Sequence, residues 1–179
     1  CWYISNFMWD KLFKSEVFKT KRFDVSLSTN EDVHFLFSLL YEKKIVSAPF
    51  FLYNYLQRPA ATSKSAPPTF IQDRIKIVNK QIAFAKEIGR FDSDKKYLLV
   101  VYLKHFLFNV IATLSRYSLD FNSDIKKLKK EIDYRQFTFK NIVYMIRVEP
   151  KVGLSLLLFK LSPTAFRAFA RFWFRNQLA

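Results

Sequence analysis

Apolar positions along this chain recur mostly at spacings of three and four, the signature of helices that bury one face. Trp9, Leu12, Phe13 and Val17 follow that spacing and predict a short helix within residues 1–24. Ser28, Thr29 and Asn30 are all good helix caps, and behind them come Glu31, Asp32 and the apolar positions Val33, Phe35, Leu36, Leu39 and Leu40. This predicts a helix from about Asn30 to near Glu42. Its first turn carries two adjacent carboxylates, where a helix N-terminus stabilises negative charge by about 0.3–1 kcal/mol, so both are expected to be ionised at neutral pH. The pattern then changes. Ile45 to Leu56 is rich in Ile, Val, Phe and Tyr and contains Pro49, which predicts an edge or terminal strand pair. Residues 57–68 hold Pro59, Pro67 and Pro68 among small polar residues with no apolar period, and read as a loop.

Beyond that loop the pattern is helical almost throughout. Thr69 to Ile88 predicts a helix stopped by Gly89, Ser93 to Leu119 a long apolar helix, and Asp124 to Tyr134 a basic one. Ser162-Pro163 is a cap followed by proline at the first helical position. In the helix that follows, Arg167, Arg171 and Arg175 share one face, with Phe166, Phe169 and Trp173 on the other. The expected fold class is therefore mostly α with one short β segment.

Composition narrows the function classes. With 179 residues, half of them apolar and 18% aromatic, the chain can bury a sizeable core in spite of a formal charge of +15. Only Gly89 and Gly153 are glycines, too few for a Walker loop or a dinucleotide-binding turn within these residues. Cys1 has no partner for an internal disulfide, and with only His34 and His105 beside it no Cys/His zinc cluster can form. Both histidines read as core or interface residues, and the single cysteine suits a reducing compartment. The chain opens at Cys-Trp-Tyr with no signal-peptide pattern, and it reads as a piece of something longer. The longest uncharged run, Ile45 to Gln57, is 13 residues, short of what a bilayer span needs, so no membrane crossing is expected.

Five short segments in order carry a resemblance: Trp9-Asp10-Lys11-Leu12-Phe13, Arg22-Phe23, Asn30-Glu31-Asp32-Val33, Lys44-Ile45-Val46, and Tyr53-Asn54-Tyr55 with Arg58 and Ser63. Their order and spacing resemble the C-terminal half of the catalytic domain of family 2 inverting glycosyltransferases with the GT-A fold, especially bacterial polysaccharide enzymes. There a Trp-x-Lys-Leu-(Phe/Tyr) segment precedes an acidic-pair helix, a strand and a Tyr-x-Tyr-x-x-Arg segment. The likeness covers about residues 1–65. It extends more loosely to the stretch Leu157 to Pro163. It implies the acceptor-side part of an α/β GT-A domain over residues 1–66, followed by a helical C-terminal region with an amphipathic tail over 67–179.

By that resemblance Asp32 is the general base that deprotonates the acceptor hydroxyl as it attacks the anomeric carbon with inversion, and Glu31 supports it or touches the acceptor. Inversion needs one carboxylate opposite the leaving nucleotide, within hydrogen-bond reach of the hydroxyl. Trp9 and Lys11 match the family positions that line an acceptor or donor pocket; the alternative is a core tryptophan and a solvated lysine. Asp10 stands where the family has Asn. Arg58 suits a donor diphosphate through bidentate hydrogen bonds, against the alternative of an ordinary surface arginine. The family's divalent ion, Mg or Mn, is held by an Asp-x-Asp motif in the nucleotide-binding half. That half would precede Cys1, so these residues alone are expected to be inactive. Asp92-Ser93-Asp94 has the letters of that motif but sits at a helix start, where capping explains it.

The implied partners are a nucleotide-sugar donor and a saccharide or lipid-linked acceptor. The +15 charge and the cationic aromatic tail favour an anionic membrane surface over nucleic acid, with the protein peripheral on the cytoplasmic face of the plasma membrane. The tail's other reading is packing on the long helix or on a second copy of the chain as a homodimer. Two competing functions stand beside the transferase: a non-enzymatic basic helical module that binds membranes or a partner, and a helical RNA-binding module.

Overall fold

The computed structural model describes residues 8–27, 30–40, 46 and 69–175. Among these the order is α1 (Val17–Thr20), α2 (Glu31–Leu40), α3 (Phe70–Glu87), α4 (Lys95–Val100), a π-helical segment (Val101–Phe108), α5 (Asn109–Tyr117), α6 (Phe121–Glu131), α7 (Phe139–Val148), α8 (Pro150–Leu161) and α9 (Pro163–Arg175). No strand occurs among the described residues, so the expectation of an α/β GT-A fold is overturned while its mostly-α part agrees. Within residues 1–66, where that domain is expected, the described residues are helical or irregular, and every element after residue 69 is a helix. The expected strand pair, Ile45 to Leu56, lies outside the described residues apart from Val46, which is exposed and irregular.

The N-terminal stripe also folds differently from its spacing. Residues 8–10 form a turn, closed by Lys11 N donating to Met8 O at 3.2 Å, and only Val17–Thr20 is helical. Leu12 is almost fully exposed, whereas Phe13, Phe18 and Phe23 gather on the ring of Phe35 in α2. Aromatic packing on α2 has displaced a helix that spacing alone would allow.

Several helix boundaries have a visible chemical cause, although the basic helix begins at Phe121 and not at the expected Asp124. Gly89, at φ 68°, ends α3: its N–H reaches Lys86 O at 3.0 Å and the Arg90 N–H reaches Ala85 O at 2.8 Å. That pair of bonds is the left-handed cap that glycine adopts without a Cβ penalty. Asp120 caps α6 by accepting from Ser123 N, Thr138 caps α7 through Asn141 N, and Ser162 Oγ accepts from Ala165 N ahead of α9. Asp94 precedes α4 without capping it. Its carboxylate is taken instead by Arg90 and the Ser93 hydroxyl.

Helices α4 and α5 and the π segment form one continuous rod, Lys95–Tyr117. It is long and apolar enough to cross a membrane by length and composition, which corrects the reading from uncharged runs. More than half of its most apolar window is buried by neighbouring helices, so its apolar character is accounted for as the centre of the bundle. Leu103, Leu107, Val110 and Ile111 are completely buried there, with Leu128 of α6, Ile142 and Met145 of α7 and Leu156 of α8 packed in the same core. Within the rod the Asn109 N–H reaches back five residues to Lys104 O. The Tyr102 hydroxyl in the π segment accepts the Asp133 N–H at 2.7 Å and ties it to the α6–α7 connection; burial, the larger cause, and the Asp133 charge push that phenol up to about 12.

Helices α7 and α8 form a tight hairpin. Gly153 of α8 lies so close to α7 that a Cβ there would stand 2.6 Å from Ile146 Cα. Helix α2 packs on α3, where Phe37, Ala85 and Leu98 form a second, smaller apolar cluster.

Candidate active site

Asp32 occupies the first turn of α2, which opens at Asn30 with φ 58°, a left-handed conformation that asparagine tolerates. Its Oδ1 accepts the Val33 N–H at 2.7 Å. The side chain is half-buried, and burial holds its carboxyl above the usual carboxylate range. The neighbouring Glu31 charge pushes in the same direction. The Val33 N–H and the positive charge of Arg74 pull the other way without prevailing. A helix N-terminus alone would stabilise the anion, so desolvation outweighs it here.

Arg74 comes from the first turns of α3. Its guanidinium lies 5.4 Å from the centroid of the Phe70 ring, and Nη1 donates to His105 O at 3.3 Å. Burial draws the guanidinium down to about 10, against the opposing pull of Asp32. Its Nε is buried without a hydrogen-bond partner, as is Nδ1 of His34. An unmatched buried donor costs about 1–3 kcal/mol, so a structure that keeps one invites a functional reason.

The π segment explains why the His105 carbonyl can receive Arg74. Because Asn109 N bonds to Lys104 O, the His105 oxygen takes side-chain donors: Arg74 Nη1, and Asn109 Nδ2 at 3.3 Å. π-Helical turns are rare and concentrate at functional sites. The His105 imidazole is pushed down to about 4 by burial first, then by the charges of Lys104 and Arg74. Lys104 pairs with Glu149, between α7 and α8, at 2.7 Å. Three elements thus bring Asp32, Arg74 and His105 to one side of the bundle.

The other residues singled out by sequence fall as follows. Glu31 is beside Asp32 and half-buried. Trp9, 38% exposed, and Lys11 sit in and next to the N-terminal turn, where Lys11 Nζ pairs with Asp10 at 2.6 Å; neither a core tryptophan nor a freely solvated lysine describes them. Arg58, the Tyr53-Asn54-Tyr55 segment and the loop at 57–68 lie outside the described residues. Sequence reasoning missed Arg74, Lys104 and Glu149, and placed His105 only as a core or interface histidine. The signal for Arg74 was present: it falls on the buried stripe between Ile71 and Val78 at spacings of three and four, where a charge needs a reason.

Among the described residues no three His, Cys, Asp or Glu side chains stand together to hold a metal ion. Asp94 is engaged by Arg90 and Ser93, so the Asp92-Ser93-Asp94 run does not fit the divalent ion that the family resemblance implies. Compared with known proteins, the chain matches no family model, no curated protein and no solved structure.

Proposed function

We propose that this chain carries the acceptor-activating part of a glycosyltransferase that moves a sugar from a nucleotide-sugar donor to a saccharide or lipid-linked acceptor with inversion, with Asp32 as the general base. The observation that carries the reading is a half-buried carboxylate held above its usual range beside a buried guanidinium with an unpartnered Nε. A carboxylate of raised pKa is a stronger base once ionised, which is what removal of a hydroxyl proton requires. The Val33 N–H fixes Oδ1, leaving Oδ2 to receive the proton.

In this reaction the acceptor oxygen forms its bond to the anomeric carbon as the bond from that carbon to the donor phosphate breaks. The acceptor proton passes to Asp32, and the leaving nucleoside diphosphate departs from the opposite face. The Arg74 charge opposes the rise that burial imposes on the Asp32 carboxyl and so favours its ionised form. Donor binding, and any divalent ion that accompanies it, belongs in this proposal to parts of the enzyme beyond the described residues.

The test is sugar transfer by the complete protein across a panel of nucleotide sugars, with Asp32→Asn beside the wild type. Loss of transfer by about 10²–10⁴-fold with donor binding retained is the expected result. Equal turnover by the two proteins would remove Asp32 from catalysis, and the absence of transfer to any acceptor would favour the non-enzymatic helical module.

A further inference from the structure

Helix α9 does not present its arginines and aromatics as two opposite faces. Phe166 and Ala170 point into the main core, and the Phe159 and Phe166 rings meet edge to face at 6.0 Å. Arg167 and Arg171 turn toward the end of α5: Arg167 Nη2 donates to Ser118 O at 3.4 Å and Arg171 Nε to Ser115 O at 3.3 Å, while the Arg167 guanidinium lies over the Phe121 ring. Two cations thus serve the C-terminal carbonyls of α5, where the helix dipole favours them. The large apolar side chains left outward are all aromatic. Phe169, Phe172 and Trp173 are 42%, 71% and 46% exposed, and Phe169 stacks on Trp173 at 5.7 Å.

Three large aromatics at spacings of three, four and one on a 13-residue helix form an apolar flank that nothing within the described residues covers. The sequence that carries it is cationic. From residue 134 to the end of the sequence there are eight basic residues and one acid, Glu149. That acid is paired with Lys104, so it does little to offset the positive field.

We propose that the outward flank of α9, formed by Phe169, Phe172 and Trp173, docks on an anionic lipid bilayer. Exposed aromatic rings on a chain of formal charge +15 suit the boundary between headgroups and acyl chains, where rings enter and the net positive charge is drawn to anionic headgroups. RNA is a poorer match to the same surface, because phosphate readout would call on Arg167 and Arg171, which are turned to backbone carbonyls, whereas entry of the rings into a bilayer does not depend on them. The inference stands independently of the transferase reading, since nothing in it involves Asp32.

The experiment is co-sedimentation of the 179-residue chain with vesicles of phosphatidylglycerol and phosphatidylcholine, and with phosphatidylcholine alone. Phe172→Ser/Trp173→Ser is run beside the wild type, with circular dichroism to confirm helix content. Both positions are exposed, so the fold should survive the change. Pelleting with the anionic vesicles, a clear loss with the neutral ones, and a drop of about tenfold in bound fraction for the variant are expected. Equal pelleting of the folded variant, or equal binding to both vesicle types, overturns the proposal. So does a wild-type dimer in light scattering that the variant abolishes, or RNA binding that the variant loses while lipid binding persists.

Discussion

Arg74 Nη1 donates to the carbonyl oxygen of His105 at 3.3 Å, joining the start of α3 to the middle of the π segment across 31 positions of sequence. The same guanidinium supplies the positive charge that opposes desolvation of Asp32, so one side chain connects three elements of the candidate site. Replacing it by methionine keeps a flexible stem against Phe70 but removes charge and donors. Arg74→Met is expected to cost about 1–3 kcal/mol of stability and to move the Asp32 titration still higher. Urea midpoints and the side-chain carboxyl resonance of Asp32 followed through pH check the two effects, and an unmoved titration would separate the two residues electrostatically.

Burial, helped by the Lys104 and Arg74 charges, pushes the His105 imidazole down to about 4 in the fold, against about 6.5 when unfolded. The folded state therefore favours the neutral ring, and its full contribution is present above about pH 6.5. As pH falls from there toward 4 the unfolded chain takes up the proton first and stability is lost, by about 3 kcal/mol at most. His34, also lowered by burial, acts in the same direction. Asp32 has the opposite sign, since a raised carboxyl gains relative stability on protonation in acid. Denaturation curves at pH 7.5 and 5.0 for wild type and His105→Gln test this, the variant being expected to show the smaller difference.

The two glycines are expected to respond differently to alanine. At Gly89 a Cβ meets nothing within 4 Å, so Gly89→Ala should cost only the left-handed backbone penalty, about 1–2 kcal/mol. At Gly153 the backbone of Ile146 is in the way. Gly153→Ala must push α7 and α8 apart, with a cost in the range of overpacked cores, about 1–3 kcal/mol or more. Thermal melts of the two variants compare them, and equal shifts would contradict the close helix contact.

Leu107 is fully buried at the centre of the long rod. Leu107→Ala should leave a cavity and lose about 2–5 kcal/mol in chemical denaturation. Exposed Leu154 is the control, expected to change by less than about 0.5 kcal/mol on the same substitution.

Much of the helical architecture was legible because its punctuation is chemical. Gly89, Ser162-Pro163 and the acidic first turn of α2 mark ends that follow from backbone conformation, missing N–H groups and capping. The N-terminal stripe misled because Phe13 and Phe18 have a better partner in Phe35 than a helix of their own would provide. Asp32 was visible as half of an acidic pair, but its desolvation comes from tertiary packing that spacing does not encode. Arg74 and the π segment were hidden for related reasons. The first needed the partner across the bundle, and the second is a change of hydrogen-bond register with no composition of its own. In α9 the periodicity grouped Phe166 with Phe169 and Trp173, yet the first turns into the core while the other two stay exposed and Arg167 and Arg171 reach back to α5.

The widened turns between Val101 and Phe108 also make the central rod a coupling between two differently oriented halves. Each π turn spends an extra residue, so the stretch after it is rotated out of phase with the stretch before. Leu98, ahead of the phase change, meets Phe37 and Ala85, while Val110, Ile111 and Leu114, behind it, face the main core that receives Phe166 and Ala170 of α9. Deleting a single residue from this stretch, and so restoring ordinary winding, would force a choice between those two allegiances.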